Sequence, residues 1–375
     1  MKHILHIIAF NTPWPANYGG VIDIYHKIRA LHAVGIGVIL HCFEYGRSHA
    51  DQLKEICSEV HYYTRHTGLI PNLSLIPYNV NSRRSHLLLQ DLLVDNAPIL
   101  FEGLHSCYLL NHPALADRFK IVRCCNIEHN YYRALAEVES NFIYRNFFNL
   151  EAYRFERFEP QLHHAQLIYT VSTAEEKDLK QRYPDLKIQF IPCFHAYDDL
   201  SILPGQSDYV LYHGKLSVGE NEKAALYLIS NVFSHLKSPC IIAGMDPSCH
   251  LLKAVAPYSN IQIIANPNDE EMQRLITNAQ VHALITFQNT GLKLKLLNSL
   301  FAGRHILVNK TMLTGSGLDK LCYIADTPEA MIKICKKLLQ TPFDPKEIHQ
   351  RRKLLFPTFS NLSQAQNIKE QLEYQ

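Results

Sequence analysis

Residues 290–309 read TGLKLKLLNSLFAGRHILVN, and this stretch decides the fold. It follows a short apolar run and a polar loop, and its leucines recur at the three- and four-residue spacing of a helix with one buried face. We predict a helix over 292–301 that ends at Gly303, because glycine tolerates the positive φ common at helix C-termini. The apolar run that follows, His305–Val308, predicts the next strand. The stretch is therefore one strand–loop–helix–strand unit.

The predicted helix begins with two lysines, Lys293 and Lys295. A helix N-terminus carries a partial positive charge and free N–H groups, and two ammonium groups add to its attraction for anions. This arrangement favours the binding of a diphosphate. The competing interpretation is that both lysines are solvated, as most helical lysines are.

Apolar runs alternate with helix-patterned segments along the rest of the chain, in two series separated by an aperiodic stretch. This alternation predicts parallel sheets that are covered by helices on both faces. We predict an α/β protein with two doubly wound domains, at 1–192 and 209–344. A linker at 193–208 joins them, and a helical tail follows at 345–375.

The composition is that of a folded protein rather than a disordered one, with 47% hydrophobic and 19% charged residues in 375 positions. A net charge of +2 does not suggest a nucleic-acid binder. Ten cysteines without a C-x-x-C pair and 21 dispersed histidines indicate no metal site and no disulfide framework. No apolar run reaches the ~18 residues of a membrane span. We expect a cytoplasmic protein, with peripheral contact to the inner face of the cell membrane left open.

Two glycines, Gly19 and Gly20, open the first predicted helix directly after the first strand and its loop. Glycines at this place let backbone N–H groups approach a ligand closely, although a plain turn would also explain them. They do not form G-x-G-x-x-G, so a nicotinamide site is not predicted.

Later in the first series, Glu102 and His105 follow an apolar strand. Ligands bind at the carboxyl edge of a doubly wound sheet. We therefore expect Glu102 and His105 to lie where an acceptor substrate binds. An ordinary loop histidine is an equal alternative for His105. The pair Arg83-Arg84 could shape the same site, but we favour ordinary surface charge for it.

The aromatic, helix-patterned segment 131–159 also carries several arginines. It could lie at a membrane surface. Glutamates on the same stretch argue against a purely basic face, so we favour core packing in which the arginine stems lie along apolar surface.

Taken together, four segments resemble glycosyltransferase family 4, in the same order along the chain. They are the Gly-Gly loop, NIEH at 126–129, HGKLSVGEN at 213–221 and GLKLKLLN at 291–298. The resemblance implies a GT-B fold, with two Rossmann-like domains facing a cleft and a helical tail that crosses back to the first domain. It also implies retaining, metal-independent transfer from a nucleotide sugar, linked to UDP or GDP, to a glycan or lipid-linked acceptor. Cell-surface polysaccharide biosynthesis is the expected setting.

The resemblance also assigns roles to individual residues. It implies that Asn126, His129 and Lys215 are catalytic. The positions it assigns to donor binding are Gly19, Gly20, Gly214, Lys215, Asn221, Thr290, Gly291, Leu292, Lys293, Lys295 and Asn298.

The sequence departs from the family pattern at three places. Thr290 and Asn298 stand where the family carries glutamates, and Cys125 stands where it carries a histidine. Two alternatives therefore stay open. One is an inactive homologue that binds a sugar nucleotide or acts as a partner subunit, and the other is a nucleotide-sugar epimerase.

Overall fold

The structure, a computed structural model, describes residues 3–288 and 294–373. It divides into two compact units. The N-terminal unit contains residues 3–194 and 359–373, and the C-terminal unit contains 195–288 and 294–358. Each unit is built around one parallel sheet.

The sheet of the N-terminal unit has seven strands in the order β3-β2-β1-β4-β5-β6-β7. The strands are β1 (Ile4–Ala9), β2 (Gly37–Glu44), β3 (Glu59–Thr64), β4 (Ile99–Glu102), β5 (Lys120–Cys124), β6 (Leu167–Thr170) and β7 (Ile188–Phe190). The helices are α1 (Gly19–Ala33), α2 (Tyr78–Asn81), α3 (His86–Leu92), α4 (Glu128–Val138), α5 (Phe142–Phe158) and α6 (Thr173–Arg182).

The sheet of the C-terminal unit has six strands in the order β10-β9-β8-β11-β12-β13. The strands are β8 (Val210–His213), β9 (Cys240–Gly244), β10 (Ile261–Ala265), β11 (Val281–Leu284), β12 (His305–Val308) and β13 (Tyr323–Ile324). The helices are α7 (Gly219–Asn231), α8 (Cys249–Val255), α9 (Asp269–Asn278), α10 (Leu294–Ala302) and α11 (Pro328–Leu338). The two tail helices are α12 (Pro345–Phe359) and α13 (Asn361–Glu373).

The predicted α/β class with two doubly wound parallel sheets is confirmed. The central strands are apolar because helices cover both sheet faces, and Leu5, Ile7 and Ile8 of β1 are fully buried. In each sheet the chain starts near the middle, builds towards one edge and then returns to build towards the other. The strand order therefore reverses between β1 and β4, and again between β8 and β11.

The tail returns to the N-terminal unit through α13, as the resemblance implies. Ala365, Ile368 and Leu372 belong to the same apolar cluster as Ile24 and Ile28 of α1. Lys369 Nζ also donates to the carbonyl of Val34, at 2.9 Å. The preceding helix α12 runs through Pro357 to Phe359.

The aromatic segment differs from the favoured interpretation. It forms two helices, α4 and α5, and Phe155 is fully buried. However, Phe142, Ile143 and Tyr144 at the start of α5 are between 58% and 74% exposed, so core packing holds for only part of the segment. In the described part of the chain, no helix is long and apolar enough to cross a membrane.

A buried group of four charged side chains ties α1 to β4 and β5. Arg123 Nε lies 2.7 Å and Nη2 3.0 Å from the two carboxylate oxygens of Asp23. Lys27 Nζ lies 3.2 Å from Asp23 Oδ2 and 2.6 Å from Glu102 Oε1. The backbone N–H of Phe194 also donates to Asp23, at 2.7 Å. We call Asp23, Lys27, Glu102 and Arg123 the buried charge cluster.

Asp23 holds this cluster together because it faces both cations. Burial alone raises the pKa of its carboxyl, but the charges of Arg123 and Lys27 and the hydrogen bonds outweigh burial, so the pKa lies below its usual range. Removing this carboxylate would leave Arg123 buried without its counter-ion.

We therefore predict that Asp23→Asn lowers the free energy of unfolding at pH 7 by about 3–5 kcal/mol, the usual cost of breaking a buried ion pair from one side. Urea denaturation followed by circular dichroism measures this. The matched control is Asp51→Asn, which breaks the exposed Asp51–Lys54 pair and should leave stability unchanged. Equal stability of Asp23→Asn and the wild type would contradict this role of Asp23.

Candidate functional site

The carboxyl ends of β8 and β11 lie side by side where the strand order of the C-terminal sheet reverses. In open α/β sheets, ligands bind in the crevice at this place. The loop after β8 is fixed against β9, since the N–H of Leu216 donates to the carbonyl of Met245 at 2.9 Å. A Cβ at Gly244 would lie 1.7 Å from the carbonyl oxygen of Gly214, so this close approach requires glycine.

Lys295, in the first turn of α10, reaches this crevice. Its Nζ donates to Asn221 Oδ1 at 2.6 Å and lies 3.3 Å from the hydroxyl of Tyr212. The ammonium also lies 5.1 Å from the centre of the Tyr212 ring. Asn221 Nδ2 in turn donates to the carbonyl of Lys215 at 3.0 Å. The structure thus brings together three of the predicted donor-binding residues, Lys215, Asn221 and Lys295.

Three further polar residues lie at this edge and were missed from the sequence. The hydroxyl of Thr286 donates to Glu220 at the start of α7. Asn309 Oδ1 accepts from the N–H of Thr286 at 3.2 Å, and Asn309 Nδ2 donates to its carbonyl at 2.7 Å. Their position in the sequence could have identified two of them, because Thr286 and Asn309 are the first polar residues after β11 and β12. Together with Lys295, these residues offer a cation for phosphate and polar groups for hydroxyls.

Ser299 connects α10 to the strands β8 and β11 through two histidines. The hydroxyl of Ser299 lies 3.0 Å from His213 Nε2 and 3.0 Å from His282 Nδ1. Burial, with a contribution from the charge of Lys295, lowers the pKa of His213 to about 3. His213 is therefore neutral: it packs against its neighbours and forms a hydrogen bond, but it adds no charge to the crevice.

Asn298 lies one turn after Lys295 on α10. Its Oδ1 is buried and has no hydrogen-bond partner within residues 3–288 and 294–373. A buried acceptor without a donor is costly, and a ligand hydroxyl or amide would satisfy it. Four other predicted donor-binding residues, Thr290, Gly291, Leu292 and Lys293, lie outside the described residues.

In the N-terminal unit, the corresponding reversal lies between β1 and β4. Gly19 and Gly20 begin α1 as predicted, and a Cβ at Gly20 would lie 2.5 Å from the end of the Phe10 ring. Glu102 is fully buried and bonded to Lys27, so it serves the buried charge cluster rather than a solvent-facing surface. His105 keeps 22% of its side chain exposed at this edge.

In the segment 125–129, the side chains of Ile127, Glu128 and His129 are buried. His129 is 8% exposed, and its Nδ1 lies 3.4 Å from Glu159 Oε2, a carboxylate that is also paired with Arg182. Cys125 and Asn126 are half-buried. The structure therefore places His129 in packing with Glu159, and Asn126 is the more accessible of the two predicted catalytic residues in this segment.

Glu128 is buried 3.6 Å from His105 Nε2. Burial, together with the charges of Glu175 and Glu159, raises the pKa of Glu128 to about 8. Burial and the charges of Arg83 and Arg65 lower the pKa of His105 to about 3. Both side chains are consequently mostly neutral at pH 7, and His105, with its lowered pKa, is a weak proton acceptor at that pH.

Three potential metal ligands, Asp23, Glu102 and Cys125, have ligand atoms within 4.8 Å of one another. Lys27 and Arg123 already bind the two carboxylates at 2.6–3.2 Å. These cations satisfy the charges that a metal would need, so the cluster fits a metal poorly.

Comparisons with known proteins place this geometry in a recognised fold. No family model matches the chain. An uncharacterized 44.6 kDa protein in the cps region of Klebsiella pneumoniae is 26% identical over 317 residues, which are 78% of this chain and 79% of that one.

Three solved structures are similar along essentially the whole chain. Sucrose-phosphate synthase from Thermosynechococcus elongatus has a TM-score of 0.72 at 13% identity, covering 100% of this chain and 99% of that one. Anabaena Alr3699/HepE in complex with UDP and glucose has 0.65 at 12%, covering 100% of both chains. The pneumococcal O-GlcNAc transferase GtfA in complex with UDP and GlcNAc has 0.65 at 7%, covering 100% and 99%. The likeness shows that this chain has the GT-B fold.

The raised pKa of Glu128 makes stability depend on pH. The folded protein keeps a proton up to about pH 8, whereas an exposed glutamate releases it near the ordinary value of 4.5. The contribution of Glu128 to the free energy of unfolding is therefore largest below pH 4.5 and falls as the pH rises towards 8.

Glutamine resembles the neutral carboxyl but cannot ionise. We predict that the stability of Glu128→Gln relative to the wild type increases from pH 5.5 to pH 8, as measured by urea denaturation at both values. Glu137→Gln changes an exposed acid on the same helix and should show no such pH-dependent gain. A constant difference between Glu128→Gln and the wild type would show that Glu128 is ionised in the folded protein.

Proposed function

We propose that this protein is a glycosyltransferase that moves a sugar from a nucleotide-sugar donor to a glycan or lipid-linked acceptor, with retention at the anomeric carbon. The observation that carries the proposal is the convergence of Lys295, Asn221 and the loop of Gly214 and Lys215 at the reversal of the C-terminal sheet. This is the crevice in which doubly wound sheets bind nucleotides.

Cleavage of the bond between the sugar and the diphosphate leaves negative charge on the leaving group. In this proposal, Lys295 and Lys215 neutralise that charge, each as a point charge rather than as a bidentate fork. Asn298, with its unpartnered Oδ1, and the Thr286–Glu220 pair would hydrogen-bond donor hydroxyls. No step requires a metal.

The acceptor would bind to the N-terminal unit, where Asn126 and His105 are accessible at the carboxyl edge. Asn126 would contact the reacting sugar, and His129, held by Glu159, would fix the segment that carries it.

The donor in this proposal is linked to UDP or GDP, and the structural neighbours support UDP, because HepE and GtfA are in complex with UDP and a sugar. The relative in the cps region of Klebsiella pneumoniae supports a place in cell-surface polysaccharide biosynthesis. Such an enzyme would work in the cytoplasm, at the inner face of the membrane when its acceptor is lipid-linked.

One observation favours a second function. Cys125 stands where the resemblance implies a histidine, and the Glu128–His105 pair of the same unit is mostly neutral at pH 7. A protein that binds the sugar nucleotide without turning it over would have the same C-terminal crevice. Release of nucleotide from the sugar nucleotide separates the two functions, since only the transferase should show it.

We predict that Lys295→Ala weakens binding of the preferred nucleotide, among UDP, GDP and ADP, by about 10- to 100-fold, because a hydrogen bond to a charged group contributes about 1.5–3 kcal/mol. Isothermal titration calorimetry measures the Kd. In a thermal-shift screen, a nucleotide at 100 times its Kd should stabilise the wild type by about 2.7 kcal/mol.

The matched control is Lys336→Ala, which removes an exposed lysine from α11 in the same unit. It should bind the nucleotide as the wild type does. Equal affinity of the Lys295→Ala variant and this control would place the nucleotide elsewhere, and the absence of any nucleotide binding by the wild type would reject the proposed function.

A further inference from the structure

Residues 60–90 contain three arginines and no aspartate or glutamate. The sequence favoured surface charge for the pair Arg83-Arg84. The structure confirms this for Arg84, which is exposed, but Arg83 is only 5% exposed. A third arginine of the segment, Arg65, is half-buried beside it.

The two arginines converge on one asparagine. Arg83 donates from Nε to the carbonyl of Phe10 at 2.9 Å and from Nη1 to the carbonyl of Asn79. Arg65 donates from Nη2 to Asn79 Oδ1 at 2.6 Å and from Nε to the hydroxyl of Ser82 at 2.9 Å. Because Phe10 directly follows β1, both guanidinium groups lie at the carboxyl edge of the N-terminal sheet.

Within residues 3–288 and 294–373, neither guanidinium faces a carboxylate. No acidic side chain there forms an ion pair with Arg65 or Arg83, and the groups that accept their hydrogen bonds are neutral. Other arginines buried in this unit do have counter-ions: Arg123 pairs with Asp23, and Arg154 with Glu151. Among the described buried arginines of this unit, Arg83 therefore differs in having no counter-ion, and the half-buried Arg65 beside it has none either.

Burying two like charges without a counter-ion is costly. This cost is reflected in the pKa of Arg83, which burial and the nearby charge of Arg65 lower to about 9. An anionic ligand would remove this cost by neutralising both groups.

Each guanidinium also keeps a donor for such a ligand. Arg65 Nη1 and Arg83 Nη2 have no hydrogen-bond partner in the part of the chain that the structure describes. Neither nitrogen is fully buried. The ring of Tyr45 lies 4.2 Å from the Arg65 guanidinium and fixes its plane. These two nitrogens therefore remain available to an anion at the carboxyl edge of the sheet.

The loop between the two arginines is apolar and exposed. Leu69, Leu73 and Leu75 are between 82% and 85% exposed. The loop is anchored, since Arg154 Nη2 donates to the carbonyl of Asn72 at 2.6 Å and Glu151 Oε1 accepts from the N–H of Tyr78 at 3.0 Å. Apolar side chains next to a cationic pair suit a phosphate attached to a hydrocarbon chain, as well as a soluble phosphate.

We propose that Arg65 and Arg83 bind a phosphate group of the acceptor. A phosphate dianion matches the two cationic charges, whereas a carboxylate matches only one. The identification of the ligand as the acceptor rests on the proposed function, but the phosphate site itself does not. The phosphate could come from a sugar phosphate or from a prenyl phosphate, which share this chemistry.

The test is isothermal titration calorimetry at constant ionic strength and pH 7.5. The probes are inorganic phosphate, a hexose 1-phosphate, farnesyl phosphate in neutral detergent, and glucuronate as the carboxylate. The proteins are the wild type, Arg65→Gln, Arg83→Gln and the exposed-neighbour control Arg84→Gln. We expect the Kd for at least one phosphate probe to rise tenfold or more in Arg65→Gln and Arg83→Gln, and to stay unchanged in Arg84→Gln.

Stronger binding of farnesyl phosphate than of the hexose phosphate would identify a lipid source, and the reverse order a soluble one. Arg65→Gln keeps the test decisive if Arg83→Gln fails to fold, because Arg65 is only half-buried. The proposal is overturned if the wild type binds no phosphate probe, if it binds only glucuronate, or if Arg84→Gln weakens binding as much as the other variants.

The same samples are titrated with the nucleotides to keep the two proposals apart. Nucleotide binding without phosphate-probe binding would reject the phosphate site and leave the proposed function standing. Phosphate-probe binding that depends on Arg65, without any nucleotide binding, would support the phosphate site and reject the proposed function.

Discussion

All the strands of each sheet run parallel, and this constraint determines where polar groups can lie. A parallel sheet with helices on both faces has an apolar interior, so its polar side chains collect at the strand ends. Since all carboxyl ends lie at the same edge, residues far apart in sequence meet there. In the C-terminal unit this brings Lys215, Asn221 and Lys295 into one hydrogen-bonded group.

The carboxyl edges of the two sheets use charge differently. In the C-terminal unit, the half-buried Lys295 donates to Asn221 and lies within hydrogen-bonding distance of the Tyr212 hydroxyl. In the N-terminal unit, Asp23, Lys27, Glu102 and Arg123 neutralise one another in the interior and serve stability. Arg65 and Arg83 take no part in that neutralisation, so they add positive charge to the carboxyl edge of the N-terminal sheet.

The sequence predicted those features that depend on local pattern. The alternation of apolar runs and helical segments was enough for the two parallel sheets, and the Lys295 helix and the Gly19–Gly20 start of α1 follow from spacing alone. The burial of Arg83 and the exposure of Phe142 could not be predicted, because burial depends on which segments pack against each other. Glu102 shows the same limit: its position at a strand end was correct, but its pairing with Lys27 requires the fold.

The central claim is that the crevice at the ends of β8 and β11 holds the diphosphate of a nucleotide sugar. A crystal structure of the protein with its preferred nucleoside diphosphate tests this most directly. We expect electron density for the diphosphate within hydrogen-bonding distance of Lys295 Nζ, beside the loop of Gly214 and Lys215. A nucleotide bound elsewhere, without any contact to Lys295, would contradict it.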